Sequence, residues 1–304
     1  MKVLTFYKFV VLHDVAALRE TLAREAAQLS LKGTILLSTE GINGSVAGTE
    51  SSVHEFSERL LRYEPFAGMA CRHSSAAPDN PVFYRLKVRL KPEIVTLGVA
   101  GIDPARRTGV HVDAARWNTL LADPDVVVID TRNHYEVAIG TFPGARNPAT
   151  QSFREFPDYV AANLDRQRHT KIAMFCTGGI RCEKASAYLL AEGFESVFQL
   201  AGGVLNYLQT VEQTDNRWQG ECFVFDQRVS LDEQLAEGTY EQCYACRRPL
   251  DATALASADY LEGVSCPNCI DELDEDRKDG LRERQRQVEL AVMRGQRHIG
   301  ATGS

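Results

Sequence analysis

The chain has 304 residues, 44% hydrophobic and 25% charged, a globular composition long enough for two or three domains. It holds no apolar run of about 18 residues, and its start, Met1-Lys2-Val3-Leu4-Thr5-Phe6-Tyr7-Lys8-Phe9, turns polar too early for a secretory signal, so neither a membrane span nor export is expected. The net charge of −7 sits in residues 221–304, with 17 Asp+Glu against 10 Lys+Arg, whereas residues 1–100 are slightly basic. That balance argues against DNA and non-specific nucleic-acid binding and leaves room only for a local basic face near the start.

Residues 1–98 alternate strand and helix patterns. Val3–Val11 reads as a strand, and Asp14 caps a helix with the stripe Val15, Leu18, Leu22 and Leu29. Thr34–Leu37 and Ser45–Val46 flank Glu40-Gly41-Ile42-Asn43-Gly44, whose Asn-Gly predicts a hairpin turn. Val53, Phe56, Leu60 and Leu61 give a second helix and Phe83–Leu90 the last strand. The order βαββαβ is ferredoxin-like. Arg85, Lys87, Arg89 and Lys91 alternate with Leu86, Val88 and Leu90, which puts four cations on one face. They are either a solvated sheet face or a phosphate-binding stripe.

Residues 99–112 have little periodicity and read as a linker. In residues 113–217, buried parallel strands are predicted at Asp125–Ile129, Lys171–Phe175 and Ser196–Leu200, with helices between, an α/β arrangement. Ligands should collect at the strands' carboxyl ends, where Asp130 and Cys176 lie.

Cys176-Thr177-Gly178-Gly179-Ile180-Arg181-Cys182 joins the second of these strands to a helix. The two glycines let amides curl inward. The helix N-terminus and Arg181 favour thiolate at Cys176. Six residues run from Cys176 to Arg181, one fewer than a phosphatase loop needs, which suits a persulfide-sized occupant. Cys182 is either a second, resolving thiol or a packed helix residue. Cys71 and Cys222 read as incidental or core residues.

In residues 218–304, Cys243-x-x-Cys246 and Cys266-x-x-Cys269 have zinc-ribbon spacing, and four thiolates suit a closed structural Zn²⁺ site. Eight cysteines, mostly in such close pairs, point to a reducing compartment such as the cytoplasm. A charged helix is expected after Asp271 and a disordered end at Gly300–Ser304.

The loop Cys176–Ser186, with Ile129-Asp130-Thr131-Arg132, Tyr135-Glu136 and Pro143-Gly144-Ala145-Arg146-Asn147, resembles a rhodanese domain. Leu31–Leu37, Glu40–Gly48, Lys87–Lys91 and Glu93–Gly98 extend the likeness over nearly the whole chain. The chain is similar to the bacterial tRNA uridine hydroxylase family. The resemblance implies an acylphosphatase-like first domain, tRNA (at its anticodon loop) as partner, and oxygen-dependent conversion of wobble uridine to 5-hydroxyuridine, with molecular oxygen as co-substrate. It implies that Cys176 is catalytic. Arg181 would support the thiolate, Asp130 and Arg132 would fix the loop from the adjacent strand end, and Glu136 would pair with a basic residue. No electron donor is indicated. The alternatives are a plain sulfurtransferase carrying a Cys176 persulfide and a non-catalytic, zinc-bearing interaction module.

Overall fold

The computed structural model describes residues 1–77 and 81–295; the expected disordered end at Gly300–Ser304 lies outside the described residues. The first unit runs β1 (Lys2–Phe9), α1 (Val15–Gln28), β2 (Lys32–Ser38), β3 (Gly41–Gly48), α2 (Glu50–Arg62), β4 (Cys71–Ser75) and β5 (Leu86–Leu90). Asp14 caps α1 through the Ala17 amide, as expected from its short carboxylate. The sheet order is β4-β1-β3-β2-β5. The first four strands are the antiparallel ferredoxin-like sheet. Its closing strand is β4, a polar stretch that hydropathy does not reveal, and the expected last strand is β5, an added edge strand parallel to β2.

The hairpin turn also differs from expectation. It falls at Thr39-Glu40, and Asn43-Gly44 lies inside β3, opposite Tyr7 and Phe6. Glycine is required at 44 for another reason: a Cβ there would come within 2.6 Å of the Phe6 ring. Both helices cover one sheet face, where Leu4, Phe6, Ile35, Leu37, Val46, Leu22, Val53, Phe56 and Leu60 form the core.

The second unit runs β6 (Val110–Val112), α3 (Ala114–Ala122), β7 (Val126–Asp130), α4 (His134–Val137), β8 (Gly140–Thr141), α5 (Phe156–Asn163), β9 (Lys171–Phe175), α6 (Ile180–Ala191), β10 (Ser196–Leu200) and α7 (Gly203–Thr210). Its parallel sheet has the order β6-β10-β9-β7. Strand β6 begins inside the stretch expected to be a linker, and Val99 and Ile102 of that stretch, with Leu97 just before it, pack into this unit's core. β11 (Gln219–Gly220) pairs with β8. β12 (Cys222–Phe223) and β13 (Ser230–Leu231) lead to the cysteine-rich unit, with β14 (Glu241–Gln242), β15 (Pro249–Leu250), α8 (Ala252–Leu255) and the charged helix α9 (Glu275–Met293).

The face of the first sheet that its own two helices leave uncovered meets the second unit. Lys184 of α6 is 2% exposed and bridges Glu40 of the β2–β3 turn, at 2.9 Å, and Glu93. Removing one partner of such a buried cluster strands the others' charges. Lys184→Met is expected to destabilise the chain by about 3 kcal/mol, with separate unfolding of the first unit in calorimetry; an unchanged single transition would contradict this.

Candidate active site

Strand β9 is central, and Ile172, Ala173, Met174 and Phe175 are fully buried on it. It therefore delivers the next residue, Cys176, to a rigid position at the sheet's carboxyl edge. Between β9 and α6 the chain turns through Gly179 at φ +101°, where a Cβ would also lie 2.7 Å from the Tyr7 hydroxyl. Only glycine meets both demands. The Gly179 amide donates to Cys176 Sγ at 3.1 Å.

Cys176 is 0% exposed. Burial pushes its thiol up, but the Cys182 thiol donating to it, the Arg181 charge and the amides of Cys182 and Gly179 outweigh burial and bring it down to about 6. Cys182, equally buried, is pushed up by burial and by the neighbouring Cys176.

Arg181 forms a bidentate pair with Glu136, at 2.6 and 2.7 Å, so its charge is largely answered by a fully buried carboxylate. Glu136 also accepts the Asn133 amide, closing the cap of α4. Asp130 and Arg132 pair with each other at 2.6 Å, both 0% exposed. Arg132 donates to the Gly140 carbonyl and lies over the Trp218 ring, while Asp130 accepts from Thr141. These two hold β7 to β8, and their side chains bond to no atom of the thiol loop. Cys222, buried in the core beside Arg132, is pushed up to about 12 by that burial.

Several residues at the site carry no signal in the sequence. Arg72 of β4 donates to the carbonyls of Gly178 and Gly202, and Tyr7 of β1 donates to Glu183 of α6 at 3.3 Å. Both come from the first sheet, more than 100 residues away in the chain. Phe225, 62% exposed, lies 5.8 Å from the Arg181 guanidinium. Nothing local marks an exposed phenylalanine as part of a site.

Lys87 and Arg89 stand on the same uncovered sheet face as Arg72 and Tyr7. Strand register aligns Arg72, Thr5, Ser45, Thr34 and Lys87 in one row and Tyr7, Asn43, Leu36 and Arg89 in the next. At about 4.8 Å per strand the first row spans roughly 19 Å, from the thiol loop to β5. Arg85, Lys87, Arg89 and Lys91 are all exposed, and none pairs with a carboxylate among the described residues.

Cys243, Cys246, Cys266 and Cys269 form a separate cluster in which all sulfurs lie within 4.8 Å of one another, and Cys71 lies apart from it on β4. Cys246 and Cys266 are 3.8 Å apart, and Cys266 and Cys269 3.6 Å. A tetrahedron of sulfurs around zinc has edges of about 3.8 Å, so the donor set fits a metal ion. Arg248 donates to the Asn268 carbonyl and pairs with Glu272, so it braces this unit.

A parallel sheet with a thiolate cradled by amides at its carboxyl edge defines the second unit as a rhodanese-like domain. Residues 113–210 match the rhodanese-like domain family, and residues 1–94 match the UPF0176 acylphosphatase like domain. The chain belongs to the tRNA uridine(34) hydroxylase family: it is 51% identical over 298 residues, 98% of this chain and 92% of the relative, to the protein of that name from Teredinibacter turnerae. Among solved structures, a rhodanese-like domain from Anabaena sp. is 21% identical, covering 36% of this chain and 78% of that one, at a TM-score of 0.31. One from Staphylococcus aureus is 24% identical, covering 32% and 90%, at 0.28. No helix among the described residues is long and apolar enough to cross a membrane.

Proposed function

We propose that this protein hydroxylates C5 of the wobble uridine of tRNA, in the cytoplasm, with dioxygen as co-substrate and Cys176 as nucleophile. The observation that carries this is the pairing of whole-length likeness to a tRNA uridine(34) hydroxylase with a buried thiol held near pKa 6. The Cys176 thiolate adds to C6 of uracil. Electron density then collects at C5, which attacks oxygen. Amides of Gly179 and Cys182 stay within reach of negative charge at the sulfur as the bond forms and breaks. Arg181 supports the cradle electrostatically, and Asp130 and Arg132 position it through β7.

The target base must leave the anticodon loop to reach a buried thiol, which a single-stranded loop permits. Phe225 offers an exposed ring beside Arg181 for stacking, and Tyr7 and Arg72 border the loop from the opposite side. Arg85, Lys87, Arg89 and Lys91 supply cations for phosphates further along the uncovered face. Lys87→Ala with Arg89→Ala is expected to weaken tRNA binding and to lower the salt slope by about 0.7–0.9 per lost phosphate contact, measured by filter binding across salt concentrations; an unchanged slope would make the stripe a merely solvated face.

Zinc in the four-cysteine cluster would be structural. The surrounding core has little more than Leu250 and partly buried side chains, too few to hold a unit of this size. Zinc binding to such sites supplies about 10 kcal/mol or more of folding free energy. Chelation is therefore expected to expose residues 241–281 to proteolysis while the absorbance of the Cys176 thiolate persists. A protease-resistant apo-protein would contradict this.

The test of the function is mass spectrometry of tRNA nucleosides from cells lacking the protein, complemented with wild type or Cys176→Ala. Restoration of 5-hydroxyuridine by wild type alone supports the hydroxylase. Altered thiolated nucleosides with unchanged 5-hydroxyuridine would replace it with sulfur transfer.

A further inference from the structure

Hydroxylation by dioxygen has an electron balance that the fold must meet. Dioxygen takes four electrons on its way to one hydroxyl group and one water; the uracil C5–H bond supplies two, and a donor must supply the others. Resting on the hydroxylase reading above, we propose that Cys176 and Cys182 are that donor, a dithiol oxidised to a disulfide once per turnover and then reset by a thiol reductant.

The balance closes. One uracil C5–H, one dioxygen and two thiols give one C5–OH, one water and one disulfide. The enolate formed by addition of Cys176 to C6 takes up dioxygen at C5. The Cys182 sulfur then takes the outer oxygen as the O–O bond breaks, leaving the inner oxygen on C5 and forming a sulfenic acid. Loss of the C5 proton expels Cys176 from C6 and restores the uracil double bond. The freed Cys176 thiolate attacks the Cys182 sulfur, the S–S bond forms, and the oxygen departs as water after taking up a proton.

The geometry supports this division of labour. Both sulfurs are 0% exposed, lie in the same core cluster and share a hydrogen bond. Thr131 spends its hydroxyl proton on the Phe175 carbonyl at 3.0 Å. Thr131 Oγ1 also packs 3.6 Å from Cys182 Sγ and holds that sulfur in place, while the single Cys182 proton goes to Cys176, a neutral thiol beside a thiolate. A low-pKa nucleophile beside a protonated partner is the asymmetry that dithiol redox pairs use. Both are sealed from solvent, with Tyr7 and Arg72 against the loop, so an adjacent sulfur reaches the reacting oxygen sooner than a dissolved donor does.

The test is a single-turnover experiment on the full-length, metal-loaded protein, reduced, freed of reductant under nitrogen, mixed with unmodified tRNA and then exposed to air. One 5-hydroxyuridine per enzyme is expected, with an equal amount of Cys176–Cys182 disulfide in peptide mass spectrometry, and repeated turnover on adding a dithiol. Cys182→Ser should lose that single turnover. Cys182→Ala loses the hydrogen bond that lowers Cys176; checked for its melting transition and assayed at a pH where its Cys176 absorbs as thiolate, it should lose the turnover as well, which separates the redox role from misfolding and from loss of the nucleophile. Several products per enzyme without reductant, product with both thiols still reduced, or full single turnover in either Cys182 variant would overturn the inference and leave the hydroxylase standing. Absence of 5-hydroxyuridine even with dithiol present would remove the hydroxylase reading and this inference together.

Discussion

Titrated by ultraviolet thiolate absorbance against Cys176→Ser, the Cys176 thiol is expected to ionise at about pH 6. The sign follows from the groups around it. Burial disfavours the thiolate, but the Cys182 hydrogen bond, the Arg181 charge and the two amides favour it more. At pH 7 about 90% of the protein then carries the nucleophile, against a few per cent for an ordinary thiol near 8.5, a gain of about thirtyfold. Activity should rise with pH through about 6 and level off above it. Cys176→Ser, with a hydroxyl that stays protonated, should lower the rate by at least about a thousandfold. A midpoint near 8.5, or a serine variant with substantial activity, would refute the assignment.

The second large effect belongs to the Arg181–Glu136 pair. Both charges are buried, and each answers the other at 2.6–2.7 Å. Removing either leaves an uncompensated charge and should cost about 3–5 kcal/mol in denaturant unfolding. The effect on the thiol has opposite signs. Glu136→Gln leaves the guanidinium unanswered and should take the Cys176 midpoint lower. Arg181→Leu removes the cation that holds the thiol down, leaves Glu136 facing the site and should take it higher. Replacing both by leucine should recover much of the stability while keeping the thiol raised. Midpoints moving in the same direction for the two single variants would show that Arg181 does not act on Cys176 through its charge.

The thiol loop was legible before folding because its chemistry is local. Strand, cysteine, paired glycines and arginine lie within a dozen residues, and the strands at Lys171–Phe175 and Ser196–Leu200 form as their apolar runs indicate. The four zinc-spaced cysteines converge as their spacing implies. The polar β4 escaped, because its place in the sheet is decided by backbone pairing with β1, to which hydropathy is blind. The Asn-Gly pair misled for the converse reason. Its glycine answers a steric demand from Phe6, a residue brought beside it only by strand register.

The sequence by itself thus determined the six-residue thiol loop after β9, the closely spaced cysteine pairs and the alternation of Lys87 and Arg89 along β5, since each depends on residues close in the chain. Tertiary structure alone decided who surrounds them. Only the packing of the first sheet's uncovered face onto the loop brings Tyr7 to Glu183 and Arg72 to Gly178. Only strand register sets Lys87 in one row with Arg72. Only the meeting of α4 with α6 joins the Glu136 carboxylate to Arg181, while Arg132 reaches just the Glu136 carbonyl. Hydrogen bonds and ion pairs act over a few ångströms whatever the separation along the chain, so such partners become visible only when the fold has closed that distance.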